Sequence, residues 1–325
     1  MDLKILAICD TNWQYAKKLM EAFCEKKHHG FQIHVFSNVR ELKLFAQKNQ
    51  LEILLVAGSI MSEEIQCMDI GKIILLTDGE IYEMFSDYES IFKYQSAEKI
   101  LKEVLCCYAE YAKPMTGMYF GKKEFEVYGI YSPIGRCGKS TLARIVANKI
   151  GKKKRTLLLD LQSYAACMEQ LSDEELWDLS DMIYFLRQGK KTFLYKLDSI
   201  VQNKGNYDFI LPMKRPADLR GVTLAEWMEL IDKLATESDY QTIVLDFGND
   251  IMELSALLNR CDKIYTPILL DEDSKRKIRN FETVLKYENS EKVLKCIEKV
   301  NLPGEVGLMH WNRILEEWAE RNVMS

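Results

Sequence analysis

Short apolar runs alternate with longer amphipathic segments along the first part of the chain. Five runs have the composition of β-strands: residues 4–9, 31–36, 52–57, 72–76 and 90–93. Between them apolar residues recur at helical spacing, and Asn38 is placed to cap one helix. This order predicts a domain over residues 1–112 with five strands and five helices, built as a parallel sheet covered on both faces.

The alternation resumes after residues 113–124, whose proline, glycines and lysines predict a linker. Residues 125–132 form an apolar run that ends in a loop, and residues 142–150 have the periodicity of a helix. Two further apolar runs, at 155–160 and 240–248, predict buried parallel strands that carry an aspartate near their ends. We therefore predict a larger α/β domain over 125–325, doubly wound and with a mostly parallel sheet.

Composition and charge narrow the class of protein. The chain has 325 residues, 47% of them hydrophobic, and a formal net charge of −5, which argues against a surface built for nucleic acid or anionic lipid. No apolar run approaches the ~20 residues of a membrane span, and the first residues lack the pattern of a signal peptide. The nine cysteines have neither disulfide-framework nor metal-site spacing. We expect a cytoplasmic protein in a reducing compartment.

The loop after residues 125–132 has the chemistry of a phosphate-binding site, because it joins a predicted strand to a predicted helix as a P-loop does. Its residues are Gly135, Arg136, Cys137, Gly138, Lys139, Ser140 and Thr141. We expect Gly135 and Gly138 to allow a tight turn that aims backbone N–H groups at phosphates. Lys139 is then placed for the β- and γ-phosphates of ATP, and Ser140 for Mg²⁺. Pro133 replaces the first glycine of the general pattern G-x-x-x-x-G-K-[ST].

Asp160 and Asp246 are candidate magnesium ligands, because each ends an apolar run that follows the loop. In P-loop proteins an aspartate on such a strand lies beside the metal, and Asp246 is the candidate for that role, with Asp160 nearby. The alternative for either aspartate is a cap at the end of its strand. The order of the loop and the two strands favours the metal site.

These elements together resemble the deviant P-loop class that includes the MinD and ParA ATPases. There the loop reads K-G-G-x-G-K-[ST], whereas this chain has Ile134 at the first lysine and Arg136 at the second glycine. The class continues D-x-D from the strand of Asp160, and Gln162 stands where the second aspartate positions the attacking water. The resemblance implies binding of ATP and Mg²⁺ and a homodimer. It implies weak hydrolysis at most, and no residue is assigned as catalytic.

The predicted domain order resembles one branch of that class, the TadZ/CpaE proteins of Flp (tad) pilus assembly. The first domain is similar to the flavodoxin-like receiver domain of two-component signalling, but its third strand ends in Ala57 and Gly58, without a carboxylate to accept a phosphoryl group. We therefore expect a pseudo-receiver, in which Asp10 caps a helix rather than binding metal. The resemblance implies a protein that positions or recruits pilus or secretion assembly proteins, at a cell pole or an inner-membrane complex.

Two charged segments suggest other binding functions, to DNA or to a membrane. The basic cluster Lys275, Arg276, Lys277 and Arg279 suggests a ParA-type partition ATPase on DNA, but three acids precede it, which favours an ordinary solvent-exposed helix. Residues 308–321 form an amphipathic helix whose polar face is acidic, so we expect it to pack on the domain or a partner rather than on a membrane.

Two further alternatives concern the loop. Pro133 and Ile134 depart from the usual patterns, which suggests a scaffold that has lost nucleotide binding. A small-molecule kinase ranks last, since the sequence has no distinct lid or acceptor pocket.

Overall fold

The computed structural model of the chain describes residues 4–25, 30–80, 82–111, 125–165, 177–188, 193–302 and 308–323. It divides into two compact units. Unit 1 contains Met1–Met115 and Lys191–Ser199, and unit 2 contains Thr116–Lys190 and Ile200–Ser325. The linker predicted at 113–124 lies outside the described residues.

Unit 1 is built on a five-stranded sheet in which every pairing is parallel. Its strands are β1 (Lys4–Cys9), β2 (Phe31–Phe36), β3 (Leu51–Ala57), β4 (Ile70–Thr77) and β5 (Ser90–Phe92). Their order is β2-β1-β3-β4-β5, which is the order of flavodoxin-like doubly wound sheets. The five predicted strands are all present because long apolar runs are buried on both faces of such a sheet.

The sequence predicts five helices in residues 1–112, and the described residues of this range contain four α-helices. They are α1 (Trp13–Glu25), α2 (Val39–Ala46), α3 (Glu63–Gln66) and α4 (Ala97–Tyr111). Asn38 caps α2 as predicted, since its side-chain oxygen accepts a hydrogen bond of 3.0 Å from the Glu41 amide. The prediction of a fifth helix is not confirmed, because the described residues between β4 and β5 form only a 3-10 turn, Glu83–Phe85. Gly79, with φ of +105°, turns the chain at the end of β4.

Unit 2 is built on a seven-stranded sheet in the order β12-β11-β6-β10-β7-β9-β8. Its strands are β6 (Glu126–Ile130), β7 (Thr156–Leu161), β8 (Gln202–Lys204), β9 (Tyr207–Ile210), β10 (Thr242–Phe247), β11 (Lys263–Leu269) and β12 (Ile297–Leu302). Only the edge pair of β8 with β9 is antiparallel among these. The mostly parallel sheet predicted for this region is therefore confirmed.

The helices that follow are α5 (Lys139–Gly151), α6 (Leu179–Arg187), α7 (Phe193–Ile200), α8 (Pro216–Arg220), α9 (Leu224–Glu237), α10 (Leu254–Leu258), α11 (Glu272–Tyr287), α12 (Glu291–Cys296) and α13 (Leu308–Asn322). Helix α5 buries Leu142, Val146 and Ile150 at helical spacing in the core of unit 2. That packing fixes the loop that precedes it against the sheet.

Most of α7 belongs to unit 1, although its residues lie within the range 125–325 predicted for the second domain. Tyr195 is buried, and its ring centroid lies 4.8 Å from that of Tyr108 on α4 and 5.7 Å from that of Phe31 on β2. Lys196, also buried, places its ammonium 3.4 Å from the sulfur of Cys106. A segment distant in sequence thus completes the core of unit 1.

The C-terminal helix α13 packs on unit 2, as the acidic character of its polar face predicts. Leu315 and Ala319 are buried in the core beside α5, and the ring of Trp318 lies 4.9 Å from that of Tyr265. Three glutamates face solvent: Glu316, Glu317 and Glu320. Within the described ranges, no helix combines the length and apolar character that a membrane crossing requires.

The basic cluster lies on α11 and is partly neutralised by its own helix. Lys275 pairs with Glu272 at 2.8 Å, and Arg276 pairs with Asp273 at 2.5 Å. Asp271 caps the helix by accepting a hydrogen bond of 2.8 Å from the Ser274 amide. This arrangement agrees with a solvent-exposed helix whose charges follow the helix dipole, and it does not favour the DNA-binding alternative.

Candidate functional site

The predicted site residues of unit 2 lie at the carboxyl ends of three adjacent strands. In the sheet, β10 lies between β6 and β7. Asp246 on β10 is in register with Ile130, which ends β6, and with Asp160 on β7. The loop from β6 leads directly into α5, so Lys139 and Ser140 begin the helix at the same edge. Ligands of open parallel sheets bind at this edge.

The loop turns at Arg136 and Gly138. Gly138 has φ of +76° and forms the N-cap of α5, as predicted from its lack of a side chain. Gly135 differs, because its φ is outside the left-handed region and a Cβ there would meet nothing within 4 Å, so its conformation does not require a glycine. Arg136 takes the left-handed conformation instead, with φ of +54°. Such strain costs a non-glycine residue about 1–2 kcal/mol and is common at functional loops.

Lys139 lies over the loop rather than in solvent. Its ammonium donates a hydrogen bond of 3.1 Å to the carbonyl of Ser132 and lies 5.8 Å from the ring centroid of Tyr131. The first N–H groups of a helix have no partner within it, so those of α5 face the loop together with the positive end of the helix dipole. Cationic and N–H donors therefore converge where an anion would bind.

The side chains of Ile134 and Cys137 point into the protein, where they pack against Ile268 and Ile278. The Cys137 thiol lies 3.2 Å from the Ile134 carbonyl, and burial raises its pKa. Because both side chains are buried, Ile134 and Cys137 can offer a phosphate only their backbone groups. Arg136, by contrast, is exposed.

The Gln162 side chain joins two of the three groups predicted to bind magnesium. Its amide nitrogen donates hydrogen bonds of 2.5 Å to the Ser140 hydroxyl and 2.7 Å to one oxygen of Asp246. Its backbone N–H donates a bond of 3.1 Å to Asp160. Ser140, Asp160 and Asp246 are thus brought together, as predicted, and Gln162 contacts all three. Sequence reasoning identified Gln162 by its position after Asp160 and missed this bridging contact.

The two aspartates are electrostatically coupled. Burial, followed by the nearby charge of Asp246, raises the pKa of Asp160 well above its usual range. Burial likewise raises the pKa of Asp246, while hydrogen bonds from Ser140 and Gln162 and the charges of Lys139 and Arg144 oppose that shift. Sequence reasoning missed Arg144, although its position four residues after Ser140 on α5 places both on one helix face.

The donors present fit magnesium held jointly with a nucleotide. Mg²⁺ is usually bound by one or two carboxylates together with substrate phosphates and water. One oxygen of the buried Asp246 has no hydrogen-bond partner, and the other accepts a hydrogen bond from Gln162, which also bonds to the Ser140 hydroxyl. In the part of the chain that the structure describes, no group of three His, Cys, Asp or Glu side chains is placed to hold a metal alone.

Unit 1 has a second polar cluster at the corresponding edge of its own sheet. Asp10 is buried. One carboxylate oxygen accepts a hydrogen bond of 2.8 Å from the backbone N–H of Asn12, and the other lies 2.5 Å from the ammonium of Lys93. The first contact agrees with a capping role at the start of α1, while the second oxygen is held by charge and has no hydrogen-bond partner. At the end of β3, Ala57 and Gly58 supply no carboxylate.

A cavity of about 380 Å³ lies elsewhere in unit 2, between α6 and α8. Its charged side chains already have partners: Arg187 bonds to Glu226 at 2.6 Å, and Arg215 bonds to Asp218 at 2.9 Å. None of the loop residues 132–141 lines it. The phosphate-binding loop remains the stronger candidate site.

Comparison with known proteins gives only distant similarities. No protein-family model matches the chain, and no curated protein matches it. Among solved structures, a ParA family ATPase from Chlorobium tepidum is similar to this chain, with 19% sequence identity and a TM-score of 0.45. The similarity covers 63% of this chain and 95% of that protein. A plasmid partition protein from Borrelia burgdorferi is 16% identical, with coverages of 61% and 99% and a TM-score of 0.43.

A third similar structure is cobyrinic acid a,c-diamide synthase from Mycobacterium smegmatis, solved with a bound ATP analog and magnesium. It is 14% identical, with coverages of 61% and 82% and a TM-score of 0.39. Similarity this low establishes neither a family nor a function for the present chain.

Replacing Asp160 by asparagine should stabilise the protein at neutral pH. A carboxyl whose pKa is raised by folding stabilises the protein below its unfolded pKa of about 3.9, and this contribution is lost as pH rises through the folded pKa. A neutral amide at this position does not ionise, so its contribution to stability does not fall as the pH rises. We expect Asp160→Asn to raise the free energy of unfolding by about 1–2 kcal/mol at pH 8 and by much less near pH 4.

Urea unfolding at several pH values measures this difference, with exposed Asp69→Asn as the matched control. A stability difference that does not change with pH would contradict the raised pKa of Asp160.

Proposed function

We propose that unit 2 binds ATP together with Mg²⁺. The observation that carries this proposal is the convergence of Lys139, Ser140 and Asp246 at the carboxyl edge of the sheet. The N-terminus of α5 and the lysine supply positive charge for the β- and γ-phosphates. Ser140 and Asp246 supply oxygens for magnesium, with Asp160 in the adjacent register position.

Lys139→Ala should remove most of the ATP affinity. We expect the wild-type protein to bind ATP in the presence of Mg²⁺ with a micromolar dissociation constant, equivalent to about 8 kcal/mol. Isothermal titration measures both proteins, and Lys153→Ala is the matched control because that lysine is exposed just beyond the far end of the same helix. Equal heats for wild type and Lys139→Ala would favour a scaffold without nucleotide.

We further propose that ATP holds a homodimer and is hydrolysed slowly. Gln162 can hydrogen-bond a water, but it cannot supply the negative charge of an aspartate. Ile134 is buried and uncharged, so it cannot contact the phosphates of a partner as a lysine would. The loss of one such stabilising group typically costs about 10²–10³ in rate. Arg136 is exposed on the same loop and always charged, which makes it the candidate substitute.

Phosphate release should therefore be slower than about 1 s⁻¹, the lower end of the range for kinases. Light scattering should report a dimer with ATP and a monomer with ADP. Arg136→Ala should weaken the dimer and leave the ATP affinity of the monomer largely intact, whereas exposed Arg40→Ala should change neither. Faster turnover, or a mass that stays monomeric at saturating ATP, would refute this part of the proposal.

For the cellular role, we propose positioning or recruitment of Flp (tad) pilus assembly proteins, at a cell pole or an inner-membrane complex. Support comes from the resemblance in domain order: a flavodoxin-like sheet without a phosphoryl acceptor precedes a P-loop sheet. A deletion strain of the native host should lose Flp pili. The wild-type and Lys153→Ala genes should restore them, and Lys139→Ala should not. Normal pili in the deletion strain would exclude this role without affecting the proposal of ATP binding.

A further inference from the structure

One side chain already occupies the place where a cation would have to bind. The Gln162 amide nitrogen lies 2.5 Å from the Ser140 hydroxyl oxygen and 2.7 Å from an Asp246 carboxylate oxygen. These are two of the oxygens that the proposed function assigns to Mg²⁺. The ion would need to approach each of them to about 2.0–2.1 Å. An ion bound to both oxygens from that side would overlap the amide nitrogen.

We infer that Gln162 is an internal plug of the cation site, which competes with the divalent ion and must leave before the ion can bind. This inference rests on the proposed function for the identity of the site. The amide N–H groups present partial positive charge to the same lone pairs that a cation would use. Gln162 therefore holds these two oxygens by the same kind of electrostatic attraction that an ion would use.

The surroundings explain why such a plug stabilises the two aspartates. Asp160 and Asp246 lie in register on neighbouring strands, and Asp246 is buried. Two carboxylates this close repel each other, and a buried carboxylate without donors is costly. The Gln162 side chain donates to Asp246 while its backbone N–H donates to Asp160, so this one residue serves both.

The plug is also incomplete in a way that favours replacement by an ion. The second oxygen of Asp246 is buried and has no hydrogen-bond partner. A divalent ion with its bound water would satisfy both the carboxylate and the hydroxyl more fully than one amide nitrogen can. The amide and the ion are therefore alternatives at one position.

The test uses Mn²⁺ and the full-length protein without nucleotide. Mn²⁺ prefers the same oxygen ligands as Mg²⁺, and its free concentration is read directly by electron paramagnetic resonance. Gln162→Ala removes the competing donor, which makes two hydrogen bonds, one of them to a charged group. We expect it to bind Mn²⁺ at least ten-fold more tightly than the wild type does.

Three further variants complete the design. Gln188→Ala, at an exposed position at the end of α6, should bind Mn²⁺ as the wild type does. Gln162→Glu adds a third carboxylate and serves as the positive control that an ion fits at this place. Gln162→Asn has a side chain one methylene shorter and cannot keep both bonds, so it replaces the alanine variant if that one does not fold.

The outcomes separate this inference from the proposed function. Equal Mn²⁺ affinity in wild type and Gln162→Ala would overturn the plug, as would absence of binding in every variant including Gln162→Glu. A loss of thermal stability in Gln162→Ala without a gain in Mn²⁺ affinity would assign Gln162 a purely structural role. Titration with ADP in EDTA and in Mg²⁺ then tests nucleotide binding independently: its failure would refute the proposed function and leave the Mn²⁺ result standing.

Discussion

The site of unit 2 depends on the pairing of β10 between β6 and β7. Because these strands are parallel and in register, their carboxyl ends meet at one edge, and Asp246 comes opposite both Asp160 and the last residue of β6. A shift of one residue in this pairing would turn Asp246 to the other face of the sheet. The apolar strands of the core hold the register, so the chemistry of the edge is fixed by packing well below it.

The second constraint is that buried polar groups need partners. Lys139 donates a hydrogen bond to the Ser132 carbonyl, and Gln162 donates hydrogen bonds to Ser140 and Asp246. The site is thus largely satisfied within the protein, and binding would exchange internal bonds for external ones. The net gain from such an exchange is smaller than the number of new contacts suggests.

Much of the architecture could be predicted from the sequence, because long apolar runs and loop chemistry are local signals. The five strands of unit 1, the strands β6, β7 and β10 of unit 2 and the cap at Asn38 belong to this group. Helix α5 begins at Lys139, before the start predicted at residue 142. The left-handed turn at Arg136 could not be predicted, since conformational freedom favours the neighbouring Gly135 for such a turn. The bridging role of Gln162 depends on the distance between strands that are remote in sequence, and no local pattern reports that distance.

The placement of α7 has a consequence for how the protein is made. The aromatic ring of Tyr195 covers Tyr108 and Phe31, but the ribosome synthesises residues 116–190 between the rest of unit 1 and this segment. At roughly 5–20 residues per second, that interval lasts on the order of 4–15 s. During this time the N-terminal sheet exists without part of its core, and its aromatic surface is open to chaperones or to misassembly. The core of unit 1 can therefore be completed only after residues 116–190 of unit 2 have been synthesised.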